Sequence, residues 1–583
     1  MKWCGTQVLA LVLSAISIVP GTAAAEELSA DARFESTARA YIDKLLAMRP
    51  EMATWLGDHR FDDRLNDYTL EGVERSRALS REYLKELQAI PVESLNRTNG
   101  VDYRILRKRI EYALFRDDEL REEEWNPLHY NIANAIYQLL ARDYAPLEVR
   151  LKNVAARLDQ VPAVIAAAKA NLKHPPRVHT ETAILQNKGT IALVRGEVSA
   201  EAAKAPELKP LVEKSQAKAL AALEDYGQWL EKDLLPRSDG DFRLGDAKFR
   251  RKLAFDLDAD FTKEEILRRA QADLERTQGE LYKAALPLYK KYFPDEKDPE
   301  KLANAHAVTK AVLDKLAQAH PTNDTIVPFA SETLARATRF VREHKLVSVP
   351  DDPVKVVVMP EFDRGVAVAY CRAAPPLEPK AQTLYAISPT PADWKPARVE
   401  SFFREYNDYM VEDLTIHEAM PGHYLQLIHA NAFKAPTLVR TIFRSGPFVE
   451  GWAVYAEQVM ADSGYGGPEV RMQQLKMRAR SIINAIMDQK IHTAGMTEQE
   501  AMKIMMEEGF QEEGEAAGIW RRAMLSAGQL STYYVGLLGM LDIRRSYEAR
   551  AKGPVDYLKL HDAMLSFGAP PPKYVKELLG LAP

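Results

Sequence analysis

Cysteine is almost missing from this chain: only Cys4 and Cys371 occur in 583 residues. Cys4 falls inside the leader described below, so Cys371 stands alone in the mature chain and no internal disulfide can form. A chain of this length buries enough apolar surface to fold without one. A lone thiol without an accompanying His/Asn set reads as a packed core residue. Charge of one sign is also missing. Lys and Arg number 78 against 83 Asp and Glu, a net charge of -5, which excludes a strongly basic nucleic-acid binder. Neither a sustained heptad nor a repeat of fixed period is present. With 46% apolar and 28% charged residues, the chain is neither disordered nor collagen-like and has the composition of a soluble globular protein. At about 150 residues per domain the length allows three or four domains, and a helical enzyme of two large lobes fits equally well.

The first 25 residues read as a secretory leader rather than as part of the fold. Lys2 supplies a positive start, Val8 to Val19 an apolar stretch, and Ala23-Ala24-Ala25 a small-residue cleavage site before Glu26. The apolar stretch falls short of the about 20 residues a membrane span needs. Cys4 precedes it, where a lipidated cysteine would have to follow it. The expectation is a periplasmic or secreted protein with neither a membrane span nor a lipid anchor.

Three regions follow. From 26 to about 345 the pattern is helical almost throughout. Glu74 to Ile90 interleaves charges with Leu79, Tyr83, Leu84 and Leu87, and Leu151 to Ala170 and Pro210 to Leu235 show the same amphipathic spacing. Pro175-Pro176, Pro236 and Pro294 mark connections. Between Val347 and Pro389 the composition changes. Lys355 to Met359, Gly365 to Tyr370 and Thr383 to Ile387 are short, rich in β-branched or aromatic residues, and bounded by Pro, Gly and Asp, so each reads as a strand of one small sheet. From Arg398 onward the pattern is helical again. The domain boundary is expected at 345/346, with a helical lobe before it and a catalytic lobe with the small sheet after it.

The chemistry concentrates in Asp413-Leu-Thr-Ile-His417-Glu418-Ala-Met-Pro421-Gly422-His423. Two histidines flanking a glutamate resemble the H-E-x-x-H zinc helix, in which His at i and i+4 share one face and the glutamate activates water. Here the second histidine stands at i+6, a net rotation of about 240° that would turn it away on a regular helix. Pro421 and Gly422 favour a bulge or break that takes up two residues and restores an effective i, i+4 relation. Zinc then needs a third protein ligand with one position left open. The segment Glu450-Gly-Trp-Ala-Val-Tyr-Ala-Glu457 carries two carboxylates on one helical face. Glu450 is the expected third ligand and Glu457 a hydrogen-bonding partner behind it.

His417 to Gln426 and Glu450 to Glu457 also resemble the signatures of the bacterial domain of unknown function 885 family, which is grouped with gluzincin-type zinc metallopeptidases alongside thimet oligopeptidase and angiotensin-converting enzyme. The likeness spans most of the mature chain and is strongest between 413 and 540. It implies a mainly α, two-lobed metallopeptidase-like fold with the small sheet beside a deep cleft. Carried over position by position, it implies Zn2+ held by His417, His423 and Glu450, with Glu418 as the catalytic glutamate.

Further segments offer completing groups. Asp488 and His492 stand at i, i+4 on one helix, either as an oriented imidazole facing substrate or as a surface pair. In Gly528 to Gly536 the resemblance favours Tyr533 over Tyr534 as the hydroxyl that stabilises an oxyanion, the alternative being a packed core tyrosine. Arg480, Arg521 and Arg522 are each either a bidentate clamp for a substrate carboxylate or a solvated charge. His429 reads as structural. The expected activity is hydrolysis of a peptide bond by metal-activated water, with a peptide or small amide as substrate. A non-peptide amide, or a non-catalytic helical protein with a structural metal, is the rival reading.

Overall fold

The computed structural model describes residues 28–351, 354–359, 368–378 and 381–581. The expected leader, and residues 365–367 of the strand expected at Gly365 to Tyr370, lie outside these residues. The protein is mainly helical, and local chemistry sets where its helices begin. Ser29, Thr69 and Thr262 each accept a backbone N–H from the first turn of Ala30–Met48, Leu70–Gln88 and Lys263–Tyr292. Thr497 and Glu500 form a reciprocal capping box. The amphipathic stretches become Leu70–Gln88, Leu147–Asn171 and Lys209–Trp229. The first buries Leu79, Tyr83 and Leu87, with Leu84 packed at the edge of the same core. Among the described residues no helix is long and apolar enough to cross a membrane.

Among the described residues three short strands form one sheet: β1 (Lys355–Val358), β2 (Ala369–Arg372) and β3 (Leu384–Ile387), in the order β1-β3-β2. β1 runs parallel to β3 with Val357 opposite Ala386, and β2 runs antiparallel with Cys371 opposite Tyr385. Ser388 N–H donates to the Val368 carbonyl. Pairing then continues at every second residue, so Tyr370 and Arg372 face β3, and the backbone of Ala369 and Cys371 faces outward along an edge that no other strand joins among the described residues.

Among the described residues four hydrophobic cores have residues on both sides of 345/346, and one does not. One gathers Leu65 to Leu234 within the N-terminal half. Another joins Phe249 to Leu274 with Ala479 to Leu538, and a third joins Leu281 to Leu316 with Met472 and Leu475. The cause is the 30-residue helix Lys263–Tyr292, which buries Ile266, Ala270, Leu274 and Leu281 against the 28-residue helix Gly467–Ala494. At the N-terminal end, Asp102 and Arg440, 0% and 1% exposed, form an ion pair at 2.6 Å.

Candidate metal centre

Asn407 caps helix Asp408–Glu418 by accepting the Met410 N–H, and the helix ends on the His417-Glu418 pair. Residues 419–422 then leave helical geometry, with a cis Met420–Pro421 peptide, and a new helix starts at His423. The chain breaks rather than bulges. Gly422 N–H returns to the Ile416 carbonyl at 2.9 Å, and Trp452 Nε1 donates to the Pro421 carbonyl at 2.8 Å. A Cβ at Gly422 would stand 1.9 Å from the His417 carbonyl oxygen, so only glycine permits this return.

The break brings the two imidazoles together. Their ring centres are 4.7 Å apart and the planes nearly perpendicular, at 85°. Glu450 comes from helix Gly446–Asp462, capped by Ser445. Its Oε2 lies 3.7 Å from His417 Nε2 and 3.5 Å from His423 Nε2, and is buried without a hydrogen-bond partner among the described residues. Ligands around a tetrahedral zinc with bonds of about 2.1 Å stand roughly 3.4 Å apart. The donor set therefore has the size and chemistry of a three-ligand zinc site. His417 donates from Nδ1 to Glu457 Oε1 at 2.6 Å, which fixes the tautomer that leaves Nε2 free to ligate. Burial alone would raise the Glu450 carboxyl, but the two imidazoles hold it below the usual carboxylate range. Asp413, one turn before His417, is buried with neither oxygen bonded among the described residues, and burial with Glu457 close by pushes its carboxyl well up.

Glu418 is the last residue of the same helix. Its Oε2 accepts the outward N–H of Cys371 at 2.9 Å, so the free edge of β2 is tied to the glutamate. Sequence reasoning missed this contact, because nothing in a strand pattern says which edge stays free. It also missed two glycines. Cβ atoms at Gly451 and Gly536 would fall 2.3 Å from the Gly536 carbonyl carbon and 2.1 Å from the Pro447 carbonyl oxygen. The helix bearing Glu450 therefore meets helix Ser531–Glu548 backbone to backbone.

The remaining candidates have other partners. Asp488 accepts from Gly528 N, Ser531 N and Ser531 Oγ at 2.9, 3.1 and 2.7 Å, clamping the loop before helix Ser531–Glu548 rather than orienting His492. His492 is buried, stacks on Phe249 and bonds from Nε2 to the Ala523 carbonyl at 3.0 Å, so it faces a helix end and not the histidine pair. Arg480 pairs with Glu515, which also accepts the Tyr406 hydroxyl. Arg521 donates to Thr182 Oγ1. Arg522 donates to the Tyr533 hydroxyl at 2.9 Å. Tyr534 is the packed tyrosine, its hydroxyl on Asp273. His429 bonds the Ser348 carbonyl, a structural role.

The profile of the family described as bacterial protein of unknown function (DUF885) matches residues 50–579. The chain belongs to this family. A solved structure of a candidate lipoprotein of unknown function from Shewanella oneidensis is 32% identical, with a TM-score of 0.79 over 94% of this chain and 99% of that one. A candidate lipoprotein from Colwellia psychrerythraea shares the fold at 17% identity, with a TM-score of 0.78 over 95% and 99% of the two chains. Among curated proteins none matches the chain. The family's description assigns no chemistry.

Proposed function

We propose that the protein is a zinc-dependent peptidase exported from the cytoplasm, with a two-lobed, gluzincin-like arrangement around the site. One observation carries the reading: His417 and His423 Nε2 converge on Glu450 Oε2 while Glu418, adjacent in sequence, reaches the free edge of a sheet. A structural zinc site uses four protein ligands, and three with an acidic neighbour fit a site that leaves a position open.

A zinc ion held there supplies an acidified water and a Lewis acid for a carbonyl. The chain's own residues do the rest. Glu457 keeps His417 in its ligating tautomer. The Glu418 carboxylate accepts a proton from the attacking water and passes it to the leaving amine. An extended peptide would join the outward edge of β2, its main chain held by strand-type hydrogen bonds that set the register against Glu418. Tyr533, on the helix locked to that of Glu450, is the hydroxyl offered to the oxyanion.

Metal content of the purified chain, beside His423→Ala, tests the ligand set. About one zinc per chain, lost in the variant, supports it; equal metal in both, or none after reconstitution, removes it. Peptide libraries with Glu418→Gln as inactive control then test the chemistry. Hydrolysis of non-peptide amides alone would move the substrate class and leave the site standing.

A further inference from the structure

The outward edge of β2 is already engaged at one atom. Cys371 stands at a position whose backbone turns away from β3, and its N–H donates to Glu418 Oε2 at 2.9 Å. A peptide that adds to this edge as a further strand needs the same outward N–H for one of its carbonyls. A backbone N–H carries a single hydrogen, and a bond of good geometry points it at one acceptor. Glu418 and a docked peptide therefore compete for one proton donor.

Two features turn this competition into an exchange. The sheet does not depend on Glu418 for its place. Tyr385, opposite Cys371 in the register and 0% exposed, has its hydroxyl 3.2 Å from Thr415 Oγ1, three residues before Glu418 on helix Asp408–Glu418. That contact keeps β3 on the helix when Cys371 changes partner. Glu418, in turn, ends its helix, where the dipole disfavours a negative side chain. Among the described residues the Cys371 N–H is the only hydrogen-bond donor to its carboxylate. A strand that takes this N–H leaves the carboxylate without a protein donor and open to water.

We propose that the Cys371 N–H passes from Glu418 to the substrate. With the edge empty it holds the carboxylate, and a peptide joining β2 takes the N–H and releases Glu418 to accept the proton of the attacking water. This rests on the peptidase reading. It also narrows the substrate to extended peptides, because an amide too short to lie along β2 leaves Glu418 held.

Cysteine occurs only as Cys4 and Cys371, so 15N-cysteine labelling of the zinc-loaded protein gives at most two amide signals, and Cys371→Ser assigns them. Bonds to a carboxylate are shorter than bonds to a neutral oxygen and move an amide proton downfield. The Cys371 signal should therefore shift upfield in Glu418→Gln. The probe is a pool of end-blocked hexapeptides whose central bond is a methyleneamine, which cannot be hydrolysed and keeps the remaining main chain. At saturation the gap between wild type and Glu418→Gln should close, since both then donate to peptide. Average affinity from the same titration should rise on the order of fivefold in Glu418→Gln, where no charged competitor holds the N–H. Cys371→Pro, at an outward edge position that tolerates proline, should erase that gain. If Cys371→Pro fails to fold, the spectra carry the test. A signal indifferent to Glu418→Gln, one indifferent to peptide, or a gap that persists at saturation overturns the exchange. Cleavage of the all-amide parent peptides while the gap persists overturns the exchange alone. A gap that closes without any cleavage by the Glu418 enzyme overturns the hydrolase reading alone.

Discussion

Gly422→Ala is the smallest change that tests how the two histidines are brought together. The added methyl would stand 1.9 Å from the His417 carbonyl oxygen and 2.4 Å from that of Ile416. Both are backbone atoms, so no side-chain rotation relieves the overlap. Contact at about 3.5 Å or more requires the loop to move by over 1 Å. Ligand atoms must keep their distances to a metal within about 0.2 Å, and His423 is the next residue, so its Nε2 leaves the cluster. Altering groups that merely orient ligands costs 10–100-fold in metal affinity; displacing a ligand should cost at least about 100-fold. Zinc affinity by chelator competition is the assay, with a denaturation curve to show that the chain still folds. Gly189→Ala is the control, since a Cβ there meets nothing within 4 Å. Within helix Arg177–Arg195 it should stabilise by about 0.5–1 kcal/mol and leave zinc binding unchanged. Wild-type zinc affinity in Gly422→Ala would refute the argument that a tight return of the chain aligns the ligands.

Two further predictions concern stability. Arg440→Ala leaves Asp102 buried with its main partner gone, and should cost about 3–5 kcal/mol in urea unfolding. Replacing both at once with Met at 440 and Leu at 102 should recover most of it, and a single variant no weaker than the double would contradict this. Burial alone would lower the His59 imidazole, but the Asp62 and Glu378 carboxylates raise it to about 9. Its folded value lies above the unfolded value of about 6.5, so the stabilisation is complete below pH 6.5 and lost as pH rises through 9. After allowance for partial exposure it is worth on the order of 2 kcal/mol, and His59→Gln should flatten the stability profile over that window.

Much of the candidate site is legible in the sequence because it is local. Pro421 and Gly422 announce the break, and Glu450 and Glu457 sit two helical turns apart on one face. The periodic helices are equally visible in Leu79, Tyr83 and Leu87. What spacing does not reveal is the neighbour a face meets. Asp488 and His492 do share a face, yet Asp488 bonds the Gly528–Ser531 loop and His492 the end of another helix. Arg480 reads as a free cation until Glu515 is placed against it. Which helix covers the apolar face of Lys263–Tyr292 is likewise a tertiary fact.

The contact at Gly451 and Gly536 has a mechanical meaning. Two helices touching through bare backbone cannot slide past each other or change their crossing without collision, so Glu450 and Tyr533 travel as one rigid piece. Any opening or closing of the molecule must hinge elsewhere than between these two helices.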